Sequence, residues 1–368
     1  MLKPNTQKYK LLEMIGISGE FPASQLSRLF DTPAYTEKMI TDLKANHFIR
    51  CHYKDGLRGY RLTKRAKEML LYYNPTRFHC YLDGNVETNS IRSEPQRRIR
   101  LHQKAQTYLT LSHTAIPFLP DEKPPVFHGD RQNVDTILSS LPCFYSSREI
   151  KELGDATTKI RNSRSVGSLL AGHCVYCIYN TGSAVMKWEY RTEVRLTAFL
   201  QHYLKGYPYT GHPPIRAIMF GDTMDVALQL MTSTGGSRRD LFMLDKAFDF
   251  FHFLPSSEEG EPILKLLANP ELLTKLNQLL LSDQEKRRGD IPMEHDAISP
   301  DGRPTLLAYD FDMQRINRFN TGLNVLKLSG NVICFDFQIP VLEKYMGDKV
   351  QFSSIDLSKF RREFFHEL

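Results

Sequence analysis

The 368-residue sequence has no run approaching eighteen apolar residues, so it offers no membrane-spanning helix. Its first residues, MLKPNTQKYKLLEMIG, lack the apolar core of a secretory signal. Cysteine is scarce, with six in all, too few for a disulfide scaffold in so long a chain, which points to the reducing cytoplasm. No Gly-x-x-x-x-Gly-Lys-Ser/Thr loop is present to cradle a nucleotide, and no Gly-x-Gly-x-x-Gly to hold a dinucleotide. The Gly-x-Ser-x-Gly elbow of a serine hydrolase is missing too. A DNA nickase working through tyrosine would show a His-hydrophobic-His metal pair, and none occurs; His212 stands alone. His173-Cys174-x-x-Cys177 lacks the second Cys-x-x-Cys pair that a structural zinc site needs. In a strand, positions 174 and 177 face opposite ways, so buried apolar thiols are the better reading. No metal and no cofactor are therefore expected.

What is present is ordinary in amount and uneven in placement. With 41% apolar and 24% charged residues the composition is globular, and the length suits two domains. Residues 1–110 carry 19 Lys+Arg against 10 Asp+Glu, whereas the remainder carries 29 against 32. The whole net charge of +6 thus originates in the first third. Such asymmetry suits a polyanionic partner for that third.

Apolar residues Leu11, Leu12 and Ile15, then Leu26, Leu29 and Phe30, have helical spacing. Asp31-Thr32-Pro33 ends one helix and starts another, with Thr32 as cap and Pro33 at the first position. The helix expected over 34–46 buries Met39, Ile40 and Leu43 and exposes Tyr35, Thr36, Lys38, Thr41 and Lys44. RCHYKDGLRGYRLT then reads as a hairpin over 50–63, with Gly56 and Gly59 permitting the reversal and Tyr53 and Tyr60 packing its strands. A further helix starts at Lys64.

The order helix, helix, helix, hairpin, helix resembles the winged helix-turn-helix family over residues 6–73, most clearly in LKANHFIRCHYKDGLRGYRLTKRAKEML. The resemblance implies double-stranded DNA as partner, with the 34–46 helix in the major groove and the hairpin on the backbone. Lys54, Arg58 and Arg61 become phosphate contacts. Glu37 and Asp42 reduce the basic character of the helix, which shifts non-specific affinity to the wing and beyond.

Residues 74–130 read as a basic helical arm and linker. An irregular stretch over 73–92 precedes a helix over 95–113, whose start carries Arg97, Arg98, Arg100 and Lys104. That patch suits either phosphate tracking or a bridging or dimer helix with a solvated basic face. Pro117, Pro120, Pro124 and Pro125 mark the linker.

From about 131 to 368 short strands alternate with helices, a mixed α/β layout; the chain as a whole is expected to be α/β, or α+β overall. Strand-like runs fall at 168–171, 174–179, 184–188, 216–221, 248–254, 306–311 and 332–337. Helices are expected at 192–204, 223–232, 261–281 with a break at Asn269-Pro270, and 313–328. The order is similar to a PD-(D/E)XK nuclease core. Behind a winged helix, that plan resembles the replication-relaxation family of plasmids and integrative conjugative elements.

The nuclease residues themselves are out of place. Such a site needs an acid on the second strand and Glu-x-Lys on the third. The second strand ends at Tyr179-Asn180, and the third has Lys187-Trp188-Glu189. Glu149-x-Lys151 falls at a helix start instead. The expectation is therefore a degenerate, non-enzymatic core with no catalytic residue. The chain would be a cytoplasmic DNA-binding protein of a mobile genetic element or plasmid: a relaxosome accessory, replication factor or transcriptional regulator. A relaxase, another element-encoded protein or a second copy forming a homodimer would partner the α/β domain. Metal-dependent endonuclease activity through Glu189, Glu193, Asp310 or Asp312 is the alternative. A protein-interaction adaptor is the third, and it leaves the basic N-terminal third unexplained.

Overall fold

The computed structural model describes residues 2–4, 6–127, 133–151, 163–286 and 291–365. These form an α/β protein with three sheets. By packing they divide into two units. The first contains the described residues up to 127 together with 143–151; the second contains 133–142 and the described residues from 163 onward. Among the described residues no helix is long and apolar enough to cross a membrane.

In the first unit the helix Gln7–Ser18 starts where the Thr6 hydroxyl accepts the Tyr9 N–H at 3.3 Å, and it buries Leu11, Leu12 and Ile15. A two-residue strand, Phe21–Pro22, leads to the short helix Leu26–Leu29 and then to Pro33–Ala45, with proline in its first turn. The strands Ile49–Lys54 and Leu57–Leu62 form an antiparallel hairpin, and Phe21–Pro22 pairs with the outer side of the second strand. Asp55 and Gly56 take φ of 53° and 73°, the left-handed pair that a two-residue hairpin turn requires. The Thr63 hydroxyl then caps Lys64–Tyr73.

Residues 74–127, expected as arm and linker, are built into this unit. The stretch expected to be irregular contains the helix Pro75–Leu82. Asn74-Pro75, which has turn chemistry, instead starts that helix: the Asn74 side chain accepts the Arg77 N–H at 3.0 Å and Pro75 needs no partner for its nitrogen. The long helix Pro95–His113 buries Leu101, Ala105, Tyr108, Leu109 and Leu111 and packs on Gln7–Ser18. The proline-rich stretch buries Ile116, Phe118, Leu119, Val126 and Phe127. Cys143–Ser146 lies against it, with the Phe144 N–H donating to Pro117 O at 2.8 Å.

In the second unit, Gly167–Leu170 is antiparallel to Val175–Gly182, which continues in parallel to Ile215–Gly221 and Phe251–Pro255. All thirteen residues of Val175–Gly182 and Phe251–Pro255 are buried, as in a strand covered on both faces. A second sheet runs Val350–Ile355, Gly330–Phe335, Pro304–Leu307 in parallel, then Ala297–Ile298 and Glu285–Lys286 antiparallel. The helices Tyr190–Leu204, Met224–Thr232 and Met313–Leu326 lie where the apolar spacing placed them. The helical stretch at 261–281 is two helices, Gly260–Ala268 and Pro270–Leu280, divided at Asn269. Residues 184–188 do not form a strand; only Lys187 makes an isolated bridge, to Leu241.

Candidate nucleic-acid interface

The helix Pro33–Ala45 and the hairpin meet where the Lys44 ammonium lies 5.5 Å from the centre of the Tyr60 ring. Cross-strand register pairs Tyr53 with Arg58 and Cys51 with Tyr60. Side chains alternate along a strand, so Tyr53 and Arg58 share the Tyr60 face, the face met by Lys44. Tyr53 is 72% exposed and Tyr35 on the helix 47% exposed; neither packs as a core aromatic would. Lys38, Thr41 and Arg58 are exposed as well, and Lys54 is exposed on the opposite hairpin face. This leaves two exposed tyrosines, lysines and an arginine on the helix and the hairpin.

Several expected contacts lie elsewhere. Thr36 is buried, its hydroxyl donating to Thr32 O at 2.9 Å. Arg61 is buried and bound to Glu20, with its Nε 2.8 Å from Oε2. Arg98 is fully buried and reaches the other oxygen of Glu20 at 2.7 Å. Arg97 pairs with Glu94, and Arg100 lies 3.8 Å from Glu87, which also holds Lys104 at 2.9 Å. The basic start of the Pro95–His113 helix is thus largely neutralised at its own surface. Arg61 and Arg98 are not phosphate contacts, because a carboxylate already occupies both guanidinium groups inside the protein.

That buried cluster supports the hairpin from behind. Glu20 accepts from Arg61 and Arg98 and lies 2.9 Å from His102 Nε2. Arg98 also donates to the carbonyls of Lys54, Leu57 and His52 at 2.8, 2.9 and 3.2 Å. One side chain therefore fixes both strands of the hairpin next to its turn. Gly59, expected to ease the turn, has a different role: a Cβ there would lie 2.3 Å from Glu20 Oε1 and 2.8 Å from His102 Nε2. Gly59→Ala is expected to destabilise the first unit by about 1–3 kcal/mol through overpacking, measurable as a lower denaturation midpoint.

Burial pushes the Glu20 carboxyl up, but hydrogen bonds from His102, Arg98 and Arg61 outweigh it and hold the group at about 2, against an ordinary 4.5. A carboxyl depressed in the folded state contributes stability above its unfolded pKa and loses it as pH falls toward the folded one. First-unit stability is therefore expected to decline between about pH 4.5 and pH 2, and Glu20→Gln to flatten that dependence in an acid series of urea titrations.

The carboxylates of the endonuclease alternative occupy separate structural roles. Glu189 is exposed at the start of Tyr190–Leu204. Glu193 is buried and accepts from the Tyr179 hydroxyl at 2.5 Å and from Ser163 at 3.1 Å. Asp312 caps Met313–Leu326, taking the N–H groups of Gln314 and Arg315, and also that of Phe251 at 3.1 Å. Asp310 lies beside His252, 3.5 Å from Nδ1, with its carboxyl pushed up by burial. The Glu149 carboxylate is bound to Lys123 at 2.8 Å; the Lys151 side chain lies outside the described residues. Among the described residues no group of three or more His, Cys, Asp or Glu side chains is placed to hold a metal ion. Cys174 and Cys177 are buried thiols, and burial pushes Cys174 up to about 11.

Tyr53, expected to pack the hairpin strands with Tyr60, is instead exposed, and Tyr60 alone is buried. It stands opposite Arg58 in the hairpin register. No family model, curated protein or solved structure matches the chain.

Proposed function

We propose that the first unit is a winged helix-turn-helix that binds double-stranded DNA. The helix Pro33–Ala45 would lie in the major groove and the hairpin along the phosphate backbone. The observation that carries this reading is the contact of Lys44 with Tyr60, which sets the helix that exposes Lys38 and Thr41 against the hairpin face of Tyr53 and Arg58. The Asp55-Gly56 turn keeps the hairpin tip narrow, and the Glu20 cluster holds it in place. Tyr35 and Thr41 supply polar and apolar contacts to base edges, while Lys38, Lys54 and Arg58 neutralise phosphates.

In this reading the chain is a non-enzymatic DNA-binding protein, and its role in a mobile element or plasmid follows from the resemblance alone. Transfer, replication and transcriptional control all use such a module, and a relaxase or a second copy is the proposed partner of the second unit. Glu193 is held by internal hydrogen bonds and Asp312 Oδ1 by a helix cap and Phe251, so metal-dependent cutting gains no support from them.

Equilibrium binding of a fluorescent duplex tests the assignment. Lys38→Ala with Arg58→Ala is expected to weaken binding and to reduce the slope of log affinity against log salt by about two. Unchanged affinity and slope would remove the helix and wing from the interface.

A further inference from the structure

The Gly235-Gly236-Ser-Arg-Arg stretch belongs to the second unit and has no part in the interface above. It is an ordered turn. The Arg239 N–H donates to Gly236 O at 3.1 Å, the Leu241 N–H to Gly235 O at 3.1 Å, and Thr234 bridges Met243. Gly235, Gly236 and Arg239 all take positive φ, 85°, 72° and 52°, so the arginines leave the surface at a sharp reversal. The segment that follows runs antiparallel to residues 186–188. The Trp188 N–H donates to Asp240 O and the Phe242 N–H to Met186 O, each at 2.9 Å, and Lys187 bridges Leu241. The pairing ends at Trp188 and Asp240, where residues 236–239 turn back toward Gly235. The helix Tyr190–Leu204 starts at this point, with Arg191 and Arg195 exposed on its first turns.

Five exposed cations, Lys187, Arg191, Arg195, Arg238 and Arg239, therefore lie on the two segments that this pairing joins, as does Tyr190, which is 46% exposed. Two exposed acids, Glu189 and Asp240, lie among them, and Asp240 is 3.8 Å from Lys187. Among the described residues, Arg191, Arg238 and Arg239 pair with no carboxylate. The chain from residue 111 onward has no excess of positive charge, so a local surplus here is placed rather than general. Unpaired guanidinium groups on adjoining segments that also carry an exposed ring match a phosphate backbone with a base or sugar against the ring.

We infer that this surface of the second unit is a second nucleic-acid contact, taking backbone phosphates on Arg191, Arg238 and Arg239. It rests on the reading of nucleic acid as the partner and adds a site that the winged helix does not contain. A duplex and a single strand share this chemistry. Tyr190 separates them, because ring stacking requires an unpaired base.

The test uses the full chain and two probes, a labelled duplex and a labelled single strand of the same length. Arg191→Gln, Arg238→Ser and Arg239→Asn are combined; asparagine tolerates the left-handed backbone at 239. This variant is expected to lower the salt slope by about two to three on at least one probe. Tyr190→Ala is expected to weaken only the single strand if that is the ligand, and neither probe if it is the duplex. A matched variant, Lys344→Gln with Lys359→Gln and Arg362→Gln, removes the same charge elsewhere in the unit. Equal losses in both triple variants, or none in the first, would overturn the inference. If the first triple variant loses affinity while Lys38→Ala with Arg58→Ala does not, this surface stands and the winged-helix reading fails. The reverse pattern leaves the winged helix and removes this surface.

Discussion

Replacing Glu20 with alanine is expected to cost the first unit about 3–5 kcal/mol, the range for breaking a buried ionic cluster from one side. The size follows from what remains. Arg61 and Arg98 stay inside the protein, 3% and 0% exposed, with like charges and no carboxylate between them. Glu20→Gln keeps an acceptor for some of these donors and is expected to lie between alanine and wild type. Urea denaturation followed by far-ultraviolet circular dichroism measures both. The proposed DNA affinity should fall in parallel, even where the variant stays folded, because Arg98 is the donor that ties His52, Lys54 and Leu57 at the hairpin tip. A surface role for Arg61 or Arg98 would instead predict unchanged stability.

Trp188→Ala is expected to cost the second unit about 3–5 kcal/mol, as large-to-small changes of buried aromatics do. Its ring centre lies 5.0 Å from that of Phe242, 5.2 Å from Tyr179 and 5.8 Å from Phe251. Its indole N–H donates to Asp245 at 2.8 Å, so the substitution also strands a carboxylate whose pKa burial already raises. Trp188→Phe restores most of the ring contact without the donor and should recover more than half of the loss. Trp188 is the only tryptophan of the chain, so wild-type indole emission reports this unit's core directly. Circular dichroism supplies the readout for the variants.

Local chemistry was legible in the sequence and long-range pairing was not. Thr32-Pro33 marked the start of Pro33–Ala45, and Asn269-Pro270 marked the break between Gly260–Ala268 and Pro270–Leu280, because proline at a first helical turn acts within a few residues. At the reversal Gly56 was readable as a local turn residue, while Gly59, read with it, lies in the strand against Glu20. Arg61 and Arg98 were counted as surface charge because Glu20 stands 41 and 78 positions away, and no spacing rule links them. Arg100 and Lys104 looked like a patch since Glu87 becomes their neighbour only after the chain folds back. In the second unit, Val350–Ile355 escaped notice because a partly exposed sheet strand, with Gln351, Ser353 and Ser354 exposed, has no long apolar run. Proline-rich sequence suggested a linker between 114 and 130, yet its interspersed Ile116, Phe118, Leu119, Val126 and Phe127 are core.

The central claim is that Pro33–Ala45 and the hairpin face DNA together. Placing a photo-crosslinking phenylalanine analogue at Tyr35, Tyr53 or Tyr72 in the full chain, then irradiating with a labelled duplex at low salt, tests it most directly. Tyr72 is 79% exposed on Lys64–Tyr73, outside the proposed interface, and serves as the reference. The account predicts strong adducts from positions 35 and 53 that high salt suppresses, with little from position 72. Adducts from position 72 alone, or equally from all three, would contradict it.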